Sequence, residues 1–132
     1  MYKVKKSKVH GSGVFASRKI LANTKIIQYV GEKILKSEGN KVKKSKYINH
    51  SCNPNCEVEI KKGEIWIKSI KSIKKGEELC YDYGFEFDKD DYMDHVCKCN
   101  SKNCVGYIIS QDDFVKYKKF LEKKIKLLSK LC

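Results

Sequence analysis

Apolar positions divide the chain into a long β-patterned part and one helical segment. Val14-Phe15-Ala16 and Ile26-Ile27-Gln28-Tyr29-Val30 are short runs rich in β-branched and aromatic residues. Glycine turns at Gly11-Ser12-Gly13 and Gly31 bracket them, so both predict strands. From Lys33 to Lys46 the chain turns polar and lysine-rich, which predicts a loop or a short solvated helix. Glu57-Val58-Glu59-Ile60 and Ile65-Trp66-Ile67-Lys68 alternate on either side of Lys61-Lys62-Gly63-Glu64, the signature of a β-hairpin. Ile70 and Ile73 lead to a turn at Lys74-Lys75-Gly76, followed by another short strand at Glu78-Leu79-Cys80-Tyr81. Asp88 to Asp94 is acidic and irregular.

The last segment changes period. Phe114, Tyr117, Leu121, Ile125 and Leu128 recur at helical spacing, with seven lysines between Lys116 and Lys130. Ser110 is placed to cap this helix, and Asp113 at its third residue suits the positive end of the helix dipole. The apolar stripe is expected to pack on the chain's own domain. There are no internal repeats, and no stretch approaches the ~20 apolar residues that span a bilayer.

Composition sharpens the picture at two points. The first residues, Met1 to Lys6, lack the apolar run of a secretory signal, so a cytoplasmic protein is expected, or a nuclear or host-secreted one if the source demands it. In such a reducing compartment seven cysteines point to metal ligation rather than disulfides. The net charge of +13 suits solubility, and equally attraction to a polyanion such as nucleic acid, a ribosome or chromatin.

Three constellations carry chemistry. Asn49-His50-Ser51-Cys52-Asn53-Pro54-Asn55-Cys56 is a run of turn-forming polar residues holding the chain's only proline. Cys97, Cys99 and Cys104 supply three corners of a tetrahedral thiolate site, and lysines beside them favour the deprotonated form. Of the other cysteines, Cys52 lies in the most turn-constrained segment. Tyr81, Tyr83 and Phe85 alternate, so they share one face, either as core packing or as the wall of a channel.

Together these motifs resemble the SET domain followed by a post-SET cysteine motif. His10-Gly11-Ser12-Gly13-Val14-Phe15-Ala16 is similar to the family's opening glycine turn, and Tyr29-Val30-Gly31-Glu32 to its second motif. Tyr47 to Cys52 with Pro54-Asn55 resembles the knot-forming segment, and Glu78 to Tyr83 the catalytic strand. The resemblance covers residues 1–109. It implies a mostly β fold, the β-clip of several short sheets with a knot-like segment, plus the C-terminal amphipathic helix. The expected organisation is a SET domain over 1–88, a post-SET zinc segment over 89–109 and a lysine-rich helix over 110–132.

The same resemblance implies methylation of a lysine on a histone or other basic protein, with S-adenosylmethionine as cofactor. Tyr83 would be the catalytic tyrosine, with Tyr29 and Phe85 on or near the channel wall. The backbone of His10, Gly11, Ser12 and Gly13 would lie against the cofactor, opposite Asn49 and His50, with Lys98 near the adenine. Cys52 would join Cys97, Cys99 and Cys104 around a structural zinc. Tyr81 sits at the product-specificity position, which implies mainly mono- to dimethylation.

Two departures stand out. The family carries a longer insert and a further strand, forming one wall of the peptide groove, where this chain has only Lys33 to Ile48. A second subunit, the terminal helix or the substrate would then supply that wall. Ser12 stands where many relatives have a large aromatic residue. A non-catalytic, zinc-stapled module that binds nucleic acid or a protein is the alternative function.

Overall fold

The computed structural model describes residues 1–29 and 48–130, the side chain of Tyr29 excepted. The loop or helix expected from Lys33 to Lys46, Val30-Gly31-Glu32 and Tyr47 lie outside the described residues. Among the described residues seven short strands form three small sheets: β1 (Tyr2–Lys6), β2 (Ser12–Ala16), β3 (Lys25–Tyr29), β4 (Asn49–His50), β5 (Cys56–Lys61), β6 (Glu64–Ser69) and β7 (Cys80–Tyr81). Among the described residues one α-helix, α1 (Phe114–Lys130), follows a 3-10 turn at Gln111–Asp113. The mostly β fold with a C-terminal helix is the one expected.

The hairpin β5–β6 forms where alternation predicted it, paired from Cys56 opposite Ser69 to Lys61 opposite Glu64. Its two-residue turn, Lys62-Gly63, has φ of 51° and 77°. Positive φ at both positions gives the turn the twist that antiparallel strands require. Strand β3 joins the other edge of β6, with a register shift between Lys25 and Ile27. The bulge lets consecutive Ile26 and Ile27 both reach the core.

Strands β1 and β2 pair antiparallel, Tyr2 opposite Ala16. The parallel pair β4–β7 sets Asn49 beside Cys80 and His50 beside Tyr81. The amide of Ser51 extends this ladder to Tyr81 O at 3.1 Å. Leu79, fully buried just before β7, anchors this strand among Val14, Ile27, Ile48, Ile67 and Ile73. Asn55 acts as a side-chain strand partner: its Nδ2 donates to Glu78 O (2.9 Å), and its Oδ1 accepts from Cys80 N (3.0 Å). That is the structural use of the Asn53-Pro54-Asn55 turn.

A second cluster forms around Tyr92, Ile109 and Tyr117, with Phe87, Tyr107, Phe114, Phe120 and Leu121 against it. Its rings meet edge-on or tilted, as aromatic quadrupoles prefer. This cluster docks only the first half of α1. Ser110 Oγ accepts from Asp112 N at the start of the 3-10 turn, as a cap should. The expectation for the rest of the stripe needs correcting. Ile125 is 63% and Leu128 56% exposed, and every residue from 122 to 130 is exposed. Periodicity gives the helix a face, but no described element reaches far enough to cover its far end.

Candidate active site

The glycine turn, β4 and the chain after β7 converge on one place. Asn49, buried in β4, donates from Nδ2 to His10 O and Ser12 O, both at 3.2 Å, and to Glu78 Oε2 at 2.7 Å. Glu78 in turn accepts from Ser7 Oγ at 2.7 Å. One amide and one carboxylate therefore fix the backbone of the turn. Gly11 adopts φ of 46°, a conformation that glycine takes without penalty. A Cβ at Gly13 would stand 2.6 Å from Glu78 Oε2, so any larger residue there requires the hydrogen-bonded Glu78 carboxylate to move.

Beside the turn lies a cavity of about 350 Å³ whose lining includes His10, Asn49, His50, Tyr83, Lys98 and His95. A smaller recess shares Asn49 and His50 with it and runs past Glu78 toward Cys80 and Cys99. The larger space is within the size of small-molecule sites, about 300–1,000 Å³.

Tyr83 borders this cavity. Its hydroxyl donates to Ile48 O at 2.7 Å, which fixes the phenol and leaves its oxygen able to accept a further hydrogen bond. Burial, aided by the neighbouring Tyr81, pushes its pKa up to about 12. The phenol is therefore neutral at physiological pH and serves as a hydrogen-bonding group, not as a base. Tyr81, Tyr83 and Phe85 form a row, with centroids 5.0 Å and 5.6 Å apart, and Phe85 continues it to His95 at 5.1 Å. This row stands outside the main core, with Tyr81 alone packed against it.

His50 is buried beside Tyr83, and its Nδ1 accepts from Tyr83 N at 3.1 Å. Burial lowers its pKa, against the opposing pull of Asp82, so the ring is neutral. On its far side Nε2 lies 3.5 Å from Cys52 Sγ. The sulfurs of Cys52, Cys97, Cys99 and Cys104 all lie within 4.8 Å of one another, Cys52 and Cys97 at 3.9 Å. Tetrahedral thiolate ligands about 2.3 Å from a zinc ion stand about 3.8 Å apart, so the four thiols have the chemistry and spacing for that ion. Burial and the other cysteines push the Cys52 thiol up, and burial carries Cys97 up to about 12. A bound cation reverses that cost by stabilising the thiolates. Asn103 Nδ2 donates to Cys52 O at 2.8 Å, and Gln111 Nε2 donates to the same oxygen, which seats this cysteine from two loops.

Comparison with known proteins agrees with this geometry. Residues 36–84 match the SET domain. The chain is 32% identical over 131 residues to human "Histone-lysine N-methyltransferase 2D", covering 75% of this chain and 2% of that protein. It is 35% identical over 138 residues to "Histone-lysine N-methyltransferase, H3 lysine-4 specific" of Aspergillus oryzae, covering 78% and 11%. With the Saccharomyces cerevisiae protein of the same name the identity is 31% over 136 residues, covering 78% and 13%.

The chain carries a SET domain match over residues 36–84. It spans between 2% and 13% of the length of these three relatives. The structure brings together His10, Asn49, His50, Tyr83 and Lys98 around one cavity, with Gly11 in the adjoining turn, Ser12 and Gly13 at the start of β2, and the Tyr81 ring tilted against Tyr83. Cys52, Cys97, Cys99 and Cys104 form the expected quartet. Tyr29 ends β3, and its side chain lies outside the described part. Sequence reasoning missed Ser7 and Glu78 as supports of the turn, and His95 and Asp94 as cavity lining. The signal for His95 was its position just before the first of the clustered cysteines. Nothing local marks Glu78, because its role depends on contacts 29 and 71 residues away. Cys56 is buried, its thiol pushed up to about 12 chiefly by that burial, and Cys80 is half-buried, so both serve packing. Cys132 lies outside the described residues.

Proposed function

We propose that this SET domain transfers the methyl group of S-adenosylmethionine to the side-chain nitrogen of a lysine in a histone or another basic protein. The observation that carries this reading is the Tyr83 hydroxyl, fixed on Ile48 O at the rim of the cavity shared by His10, Asn49 and His50. A non-catalytic binding module has no use for a phenol so placed. The residues present fit the cofactor: a cavity of adequate size lined by His10 and Lys98, with the buried polar side chains of Asn49 and His50 beside it.

The cofactor, when bound, supplies an electrophilic methyl on a sulfonium, which calls for an uncharged amine as acceptor. A free lysine, with pKa about 10.4, holds its proton at neutral pH. The half-buried rings of Tyr81 and Tyr83, with the exposed Phe85 beyond them, offer an aromatic wall whose desolvation of an incoming amine would disfavour the ammonium form. Tyr83 Oη, its own proton committed to Ile48 O, can accept an N–H of the incoming amine and aim its lone pair. Orientation of this kind supplies a large part of such a barrier, up to about 7–11 kcal/mol in well-aligned systems. Zinc at Cys52, Cys97, Cys99 and Cys104 would be structural, since four cysteines leave no open position.

Tyr81, its ring tilted against Tyr83 at 5.0 Å, would make the product mainly mono- and dimethyl-lysine, because a second hydroxyl close to the amine would leave less room for further methyl groups. Mass spectrometry of the product tests this. Tyr81→Phe should raise the share of higher methylation states, and a wild type that already makes chiefly trimethyl-lysine, unchanged by the substitution, overturns it.

A further inference from the structure

His50 stands between two parts of the site that are otherwise separate. Its ring is 4% exposed and packs edge-on against Tyr83, with centroids 5.2 Å apart. A backbone N–H can only donate, so the 3.1 Å bond from Tyr83 N requires a lone pair on Nδ1. The one proton of the neutral ring then sits on Nε2, the nitrogen that faces Cys52 Sγ at 3.5 Å. Asp82, the nearby carboxylate, does not compete for Nδ1. It stands 3.9 Å away and accepts instead from Gly84 N at 2.9 Å and Gln111 N at 3.1 Å.

We propose that His50 is a positioning residue that links the metal-binding cysteines to the catalytic tyrosine, its Nε2–H bonding the Cys52 sulfur while its Nδ1 holds the Tyr83 amide. The inference deepens the methyltransferase and zinc readings and rests on both. Cys52 thereby differs from the other three ligands: it is the one whose placement is passed directly to the tyrosine-bearing segment. Hydrogen bonds to a ligating group fix its orientation and tune the metal, and their loss typically costs 10–100-fold in metal affinity or activity.

Two substitutions separate the two arms. In His50→Asn the side-chain oxygen can replace Nδ1 as acceptor for Tyr83 N, but nothing reaches Cys52. In His50→Gln the amide N–H can replace Nε2–H, but the bond to Tyr83 N is lost. The zinc-loaded full chain is first read by long-range proton–nitrogen NMR, which should show His50 protonated on Nε2 and bare on Nδ1. With cobalt in place of zinc, His50→Asn should shift the thiolate-to-cobalt absorption band and weaken metal retention against a chelator about tenfold. His50→Gln should keep the wild-type band and retention, while kcat falls at least tenfold. An Nδ1–H tautomer overturns the proposal, as do two variants that behave alike in band, retention and kcat. If the wild type binds no metal, the zinc reading and this link fall together. If it binds cobalt yet transfers no methyl, the NMR and absorption arms still decide the link, and only the enzymatic reading fails.

Discussion

Replacing Gly13 by alanine should injure this site through space alone. Gly13 has an ordinary backbone conformation, but an added Cβ would meet Glu78 Oε2 at 2.6 Å, Glu78 Cδ at 2.9 Å and Ser7 Cβ at 3.0 Å. The carboxylate oxygen would have to retreat by about 0.8 Å to reach normal contact distance. That retreat breaks or lengthens two 2.7 Å hydrogen bonds, from Asn49 Nδ2 and from Ser7 Oγ. Overpacking of this kind costs about 1–3 kcal/mol, and about 2 kcal/mol lowers Tm by about 8 °C in a chain of this size. Cofactor affinity should fall with it, because Asn49 also holds His10 O and Ser12 O. The assay is a double-mutant cycle by thermal unfolding, with calorimetric titration of S-adenosylmethionine. In a Glu78→Ala background the cost of Gly13→Ala should drop by more than half, leaving the residual Ser7 contact. Gly11→Ala is the control: it meets nothing within 4 Å, and its cost of about 1 kcal/mol comes from φ of 46° and should persist in both backgrounds. If Gly13→Ala costs the same with and without Glu78, the steric reasoning is wrong.

Two further outcomes follow from burial. Tyr117→Ala should cost about 3–5 kcal/mol, since a ring 6% exposed leaves the aromatic cluster, whereas Ile125→Ser should stay within about 0.5 kcal/mol; chemical denaturation of both variants checks the contrast. Tyr83 has its pKa raised from near 10 to about 12, so its contribution to stability is intact below pH 10 and is lost as pH rises toward 12. A spectroscopic tyrosine titration should show a late phase, to which the buried Tyr117 phenol also contributes, that loses amplitude in Tyr83→Phe; an unchanged titration curve removes the burial argument.

What could be read from the chain follows from how local each signal is. The hairpin was legible because alternation and the Lys62-Gly63 turn lie within a dozen residues and agree with each other. The cysteine quartet was legible because three of its members crowd one short loop and Cys52 sits in a segment with no better use. Strand β1 was not foreseen: only Tyr2 and Val4 carry its inward face, and lysines fill the rest. The parallel pairing of β4 with β7 joins segments some thirty residues apart through two residues each, far below any periodic signal. The aromatic alternation at Tyr81, Tyr83 and Phe85 left core and channel wall both open; in the structure Tyr81 packs against the core, Tyr83 borders the cavity and Phe85 is exposed. The far end of α1 shows the opposite failure. Its stripe at Ile125 and Leu128 is clear in sequence, but spacing says nothing about whether the fold extends far enough to cover it.

The most direct test of the central claim is methyl transfer from radiolabelled S-adenosylmethionine to purified histones and to whole-cell extract, comparing zinc-replete wild type with Tyr83→Phe. The account predicts label on a protein band, on lysine, that falls at least a hundredfold when the hydroxyl held by Ile48 O is removed. Equal labelling by both proteins would contradict the role given to Tyr83, and no labelling together with no cofactor binding would leave a zinc-stapled binding module in place of an enzyme.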